Sequence, residues 1–85
     1  STPSRLRFYN RAVRHLRIAL QSEPNHVGLL LKVGTCVYDM LLLKRNNNIT
    51  DAEDNEWMLL ADEMFLRAAE LEPANYQIFF SYALL

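Results

Sequence analysis

Two histidines, one cysteine and one acidic run are the residues of this chain that could carry chemistry. His15 and His26 could serve as bases or metal ligands, but they are well separated and fall on different expected helices. Neither they nor Cys36 form a cluster with metal-ligand spacing, and no Ser–His–acid set converges. Asp51, Glu53, Asp54 and Glu56 offer the hard oxygens that calcium prefers. The run lacks the glycine and the spacing of a calcium loop, so capping of a helix start accounts for it better. There is no glycine-rich phosphate loop. We therefore expect no enzyme activity, no catalytic or metal-binding residue and no cofactor. Cys36 reads as a buried, inert thiol, because free cysteine behaves mostly as a small apolar residue.

The arginines make a different kind of site. Arg7, Arg11, Arg14 and Arg17 share one arc of a helical wheel with His15, and Ile18 lies among them. The opposite arc holds Leu6, Tyr9, Ala12, Val13, Leu16, Ala19 and Leu20. The N-terminal quarter carries only Glu23 against its arginines, whereas the stretch from Asp51 onward carries only Arg67 against its acids. The chain is a charge dipole despite a net charge of −1. A basic helix facing an acidic one suits head-to-tail pairing, in an array or between copies. Nucleic-acid contact through the arginine row is the minor alternative, since a pI near 6.0 is not that of a phosphate-binding domain.

The elements that carry these residues are set by an internal repeat. Ala12, Leu16, Ala19 and Pro24 return 49 residues later as Ala61, Phe65, Ala68 and Pro73. Leu30, Val33 and Gly34 return in the same register as Phe79, Tyr82 and Ala83, and Glu23-Pro24 as Glu72-Pro73. A fixed period of this size decides the architecture before local propensity does. Gly34, Ala61 and Ala68 let helix backbones approach, while Leu16, Leu30 and Phe65 fill the space between them. Pro24 and Pro73 stop helices, because proline cannot donate the next backbone hydrogen bond and restricts the residue before it. Short turns after each proline make neighbouring helices antiparallel.

These landmarks resemble the tetratricopeptide repeat, a helical hairpin of about 34 residues. Residues 30–37 look like the first-helix half, with Leu30, Val33, Gly34 and Val37 at its marked positions. Residues 61–73 match the second-helix half through Ala61, Phe65, Ala68 and Pro73, and residues 12–24 repeat that half. The resemblance implies an all-α solenoid fragment of four antiparallel helices, near 3–22, 26–45, 51–72 and 75–85. Residues 1–25 would be a second helix, 26–75 a full repeat, and 76–85 the first helix of a third.

The full repeat exceeds the usual length by about 15 residues. The excess lies between Val37 and Ala61 and is apolar at both ends, at Met40–Leu43 and Trp57–Leu60. The helical spacing continues through it, which predicts that both helices run on by about two turns, roughly 10 Å each. A polar tip over 46–55 joins them. Thr50 with Glu53 is the expected capping box, and Lys44 and Arg45 suit the negative end of the preceding helix.

By the same resemblance, partners would bind in a groove formed by first helices: Leu31, Lys32, Thr35, Tyr38 and Asp39 on one, Gln77, Phe80 and Leu84 on the next. Only Lys32 could join a carboxylate-clamping set, so an apolar helix or peptide is the better match. Leu59 and Leu66, among Asp62, Glu63 and Glu70, resemble an apolar interface core with a polar rim. They join Arg7, Arg11, Arg14, Arg17 and Phe79 as candidate self-association residues. The expected function is therefore a protein–protein interaction scaffold, with homo-oligomerisation as the alternative. No apolar run reaches membrane-spanning length, so no membrane insertion is expected. The missing initiator Met suggests a fragment. The lone cysteine suggests a cytoplasmic setting, with the nucleus as the alternate compartment.

Overall fold

The computed structural model describes residues 1–75 and is all-helical over them. Helix α1 spans Thr2–Ser22, α2 spans Val27–Asn46 and α3 spans Asp54–Leu71. The fourth helix expected over 75–85 lies outside the described residues, apart from Asn75, which is not helical. Ser1 caps α1 by accepting from the Ser4 N–H, and Pro3 sits in the first turn, where a missing N–H costs nothing. His26 caps α2 through its Nδ1, which accepts from the Leu29 N–H at 3.1 Å.

Both proline turns have the same backbone. Glu23 has φ −133° and ψ 70°, and Glu72 has φ −133° and ψ 72°. The Glu23 N–H donates to the Ala19 carbonyl at 3.1 Å, and the Glu72 N–H to the Ala68 carbonyl at 2.9 Å. Three residues on, the His26 and Asn75 N–H groups donate back to the Glu23 and Glu72 carbonyls. The 49-residue period is thus present in the backbone as well as in the residue types.

α2 is the central helix. α1 and α3 both pack on it and approach each other far less closely. Thr2 hydrogen-bonds Asn47, and Lys44 pairs with Asp54, so each outer helix is antiparallel to α2 and the outer two are parallel to each other. Leu30, Val33, Val37 and Met40 of α2 are buried, and so are Ala61, Met64, Phe65 and Ala68 of α3. α1 contributes only Val13 and Leu20 as fully buried residues. Leu6, Tyr9, Ala12, Leu16 and Ala19 of its apolar arc are half-buried. Cys36 is also half-buried, not buried as expected, and packs against the edge of the core.

The extra length is helix on both arms. α2 continues to Asn46, where its last carbonyls are closed by a left-handed residue. The Ile49 N–H donates to the Lys44 carbonyl at 2.8 Å and the Asn48 N–H to the Arg45 carbonyl at 3.1 Å. This pair of bonds requires positive φ at Asn48, which has φ 56°. Asparagine tolerates that conformation better than most residues.

Gly34 and Phe65 make a close contact in the core. A Cβ at Gly34 would lie 2.7 Å from the ring Cζ and 2.9 Å from both Cε atoms. Gly34→Ala therefore forces the ring, which is almost fully buried, to move. Overpacking of this kind costs about 1–3 kcal/mol, against about 1 kcal/mol gained in helix propensity. The expected net loss is up to about 2 kcal/mol by urea denaturation. Gly28 is exposed and would meet only the His26 imidazole. Gly28→Ala should stay within about 0.5 kcal/mol of wild type. Equal losses at the two glycines would refute the Gly34–Phe65 wedge.

Candidate functional site

A groove runs between α1 and α3. On α1, Asn10, Arg14, Arg17 and Gln21 recur at intervals of three or four, which puts them on one face. They line the widest part, of about 480 Å3, with Val13 and Trp57. The groove continues along α3 past Glu53, Glu56 and Leu60, with a volume of about 330 Å3, and then past Glu63 and Met64, with about 260 Å3. Arg17 reaches all three parts. One wall is thus basic, the other acidic, and Ile18, Trp57 and Leu60 supply the accessible apolar surface. Among the described residues no Arg–Glu ion pair spans the groove. Its closed end is fixed by Arg67, whose Nη2 donates to the Pro24 carbonyl at 2.7 Å.

The acidic wall depends on the start of α3, which is held by Lys44. Positions 30, 33, 37 and 40 form the buried stripe of α2, and Lys44 is the next position on that stripe. Its ammonium bridges the Asp51 and Asp54 carboxylates. The lysine side chain is 8% exposed, against 51% for Asp51. The same aspartates close the turn that precedes α3. Asp51 Oδ1 accepts from the Glu53 N–H at 2.8 Å, and Asp54 Oδ2 accepts from the Asp51 N–H at 3.2 Å. The expected Thr50–Glu53 capping box does not form: α3 begins at Asp54 rather than 51, with Glu53 at its N-cap and no side-chain cap bond. The buried ammonium draws both aspartates inward, and no such partner exists for Glu53. Lys44 likewise serves as a core counter-ion more than as a helix-end charge.

Burial would lower the Lys44 pKa, but its hydrogen bonds to Asp51 and Asp54 outweigh that and leave it raised. The hydrogen bond from Lys44, with help from the Glu53 N–H, lowers the Asp51 pKa. Burial, and then the Asp39 carboxylate, push the Cys36 thiol up, which disfavours the reactive thiolate.

The described residues expected on the first-helix face share one arc of α2. Leu31 and Tyr38 are half-buried, while Lys32, Thr35 and Asp39 are exposed. The Thr35 hydroxyl donates to the Leu31 carbonyl of its own helix. Tyr38 borders only a small dent of about 80 Å3 with Leu42 and Met58. Gln77, Phe79, Phe80 and Leu84 lie outside the described residues. Arg7 and Arg11 are exposed on the outer side of α1, and Leu59 and Leu66 on the outer side of α3. From sequence, Glu53 and Glu56 read as helix-capping charge and Trp57 as part of an apolar helix face, not as the lining of a groove. Their signal was the charge contrast between the first helix and the acidic stretch, read at the same groove position in both.

Among the described residues no three metal-ligating side chains converge, and no helix is long and apolar enough to cross a membrane. No family model matches the chain, nor does any curated protein or solved structure.

The clasp sets a pH dependence at both ends. Asp51 has a depressed folded pKa, so its contribution is full above the ordinary carboxylate value near 4 and is lost as pH falls through the lower folded value. Lys44 has a raised folded pKa, so its contribution is full below about 10.4 and is lost as pH rises through the higher value. Asp51→Asn should flatten the acid limb of thermal stability against pH. The double change Asp51→Asn with Asp54→Asn should cost more stability than Lys44→Met, because it strands a buried ammonium while the aspartates can reach water. The reverse order would contradict the clasp.

Proposed function

We propose that this chain is a non-catalytic protein-interaction module of the tetratricopeptide-repeat kind. Three observations support the reading: the 49-residue recurrence, the matching proline turns and the α1–α3 groove. The fourth helix, over 75–85, belongs to the same reading. The observation that carries the function is the groove itself, with an apolar floor and walls of opposite sign left unpaired across it.

The partner this geometry fits is an amphipathic helix. Its apolar stripe would meet Trp57, Leu60 and Ile18, with acidic residues toward Arg14 and Arg17 and basic residues toward Glu53 and Glu56. The apolar floor supplies affinity, and the two charged walls fix the direction and register of the helix. Such walls suppress partners with the reverse charge order, since like charges would then be brought together.

Trp57 is the single tryptophan of the chain, so its fluorescence reports occupancy of the groove directly. Selection from a displayed library of helical peptides should enrich sequences with one acidic and one basic flank. Their binding should shift Trp57 emission and weaken at least tenfold in Arg17→Glu, a loss of about 1.4 kcal/mol. Binders that leave Trp57 emission unchanged and tolerate Arg17→Glu would overturn the reading.

A further inference from the structure

The outer face of α3 is apolar at two positions, and the 49-residue period marks them as a departure from α1. In the groove, α1 presents Asn10, Arg14 and Arg17, and α3 presents Glu56 and Trp57 to them. Moving the α1 positions on by one period gives Leu59, Glu63 and Leu66 on α3, of which Glu63 stays in the groove and the two leucines face outward. Leu59 is 68% exposed and Leu66 is 50% exposed. Moving the α3 positions back by one period gives Arg7 and Phe8 on the far side of α1. Phe8 is 67% exposed, and its ring rests edge-on against Tyr9, with centroids 5.9 Å apart.

These two outer faces complement each other in charge. The side of α3 bearing Leu59 and Leu66 is rimmed by Asp62 and Glu70, both exposed. The side of α1 bearing Phe8 carries Arg7 and Arg11, also exposed. At the groove position where α1 has polar Asn10 and Arg17, α3 has two leucines. At the position where α3 has Trp57, α1 has another large aromatic.

We propose that the outer face of α3 takes the Phe8 face of α1 from a second copy of this chain. Phe8 of the incoming copy sits between Leu59 and Leu66. Arg7 and Arg11 meet Asp62 and Glu70. The contact joins two different faces, so it is heterologous and leaves one face of each kind open at the ends. It rests on the chain being an interaction module, but it uses none of the charged wall residues Arg14, Arg17, Glu53 and Glu56 that bind a partner helix in the groove.

Mixing of face-specific variants tests this directly. Wild-type chain should grow with concentration by light scattering into dimers, trimers and longer species, and added salt should reverse the growth as charges are screened. Phe8→Asp removes the incoming face, and Leu59→Glu with Leu66→Glu removes the receiving face. Each variant alone should remain monomeric, with wild-type helicity confirming that these exposed changes leave the fold intact. An equal mixture should form a one-to-one dimer and nothing larger. A monomeric wild type at all concentrations would overturn the proposal, as would a mixture that stays monomeric or variants that still assemble alone. Peptide binding read by Trp57 survives in any of those cases, so the groove reading stands or falls separately.

Discussion

The fold depends on how closely α3 can lie against α2, and Gly34 sets that distance. A helix bearing any larger residue there would hold the Phe65 ring away from the backbone, since a Cβ would fall within 2.7 Å of it. With glycine, the ring seats over the middle of α2, and Ala61 and Ala68 bring the two backbones together on either side. Everything on α3 follows from that seating. Trp57 lies two turns before Phe65, which carries it to the edge of α2 and into the groove. Glu53 and Glu56 follow it to the acidic wall. The Lys44 clasp then fixes the far end of the arm, where no apolar side chain could anchor two carboxylates.

Much of this was legible in the sequence because it rests on steric signals that survive without tertiary context. Proline cannot continue a helix, so Pro24 and Pro73 marked two helix ends, and Glu23 and Glu72 share one backbone conformation there. Gly34, Ala61, Phe65 and Ala68 declared a close approach by size alone. The apolar spacing through Met40 and Trp57 distinguished extended helix from loop, since a loop of that length would have no reason to keep a helical period.

The parts that escaped were electrostatic or relational. Lys44 stood on the buried stripe of α2 at the right spacing, yet a lysine near a helix end is more often solvated, and its burial required two aspartates from the other arm. The same two aspartates close the turn before α3, where a Thr50–Glu53 capping box was expected. The groove escaped because neither wall is a motif. Arg17 and Glu56 acquire meaning only when α1 and α3 lie parallel on α2 without closing on each other. Leu59 and Leu66 were legible as anomalies, since the positions one period earlier are polar, but the face that complements them became visible only with Phe8 exposed.

The central claim is that both arms of the long hairpin are packed helix, so that the acidic wall is a rigid part of the groove. Amide hydrogen exchange measures this residue by residue. Protection at Met40–Lys44 and at Trp57–Leu60 comparable to that of Leu30–Val37 is the expected result, with fast exchange confined to the tip around Asn47–Ala52. Arms that exchange as fast as the tip would contradict it, because the wall bearing Glu56 and Trp57 would then have no fixed place opposite Arg14 and Arg17.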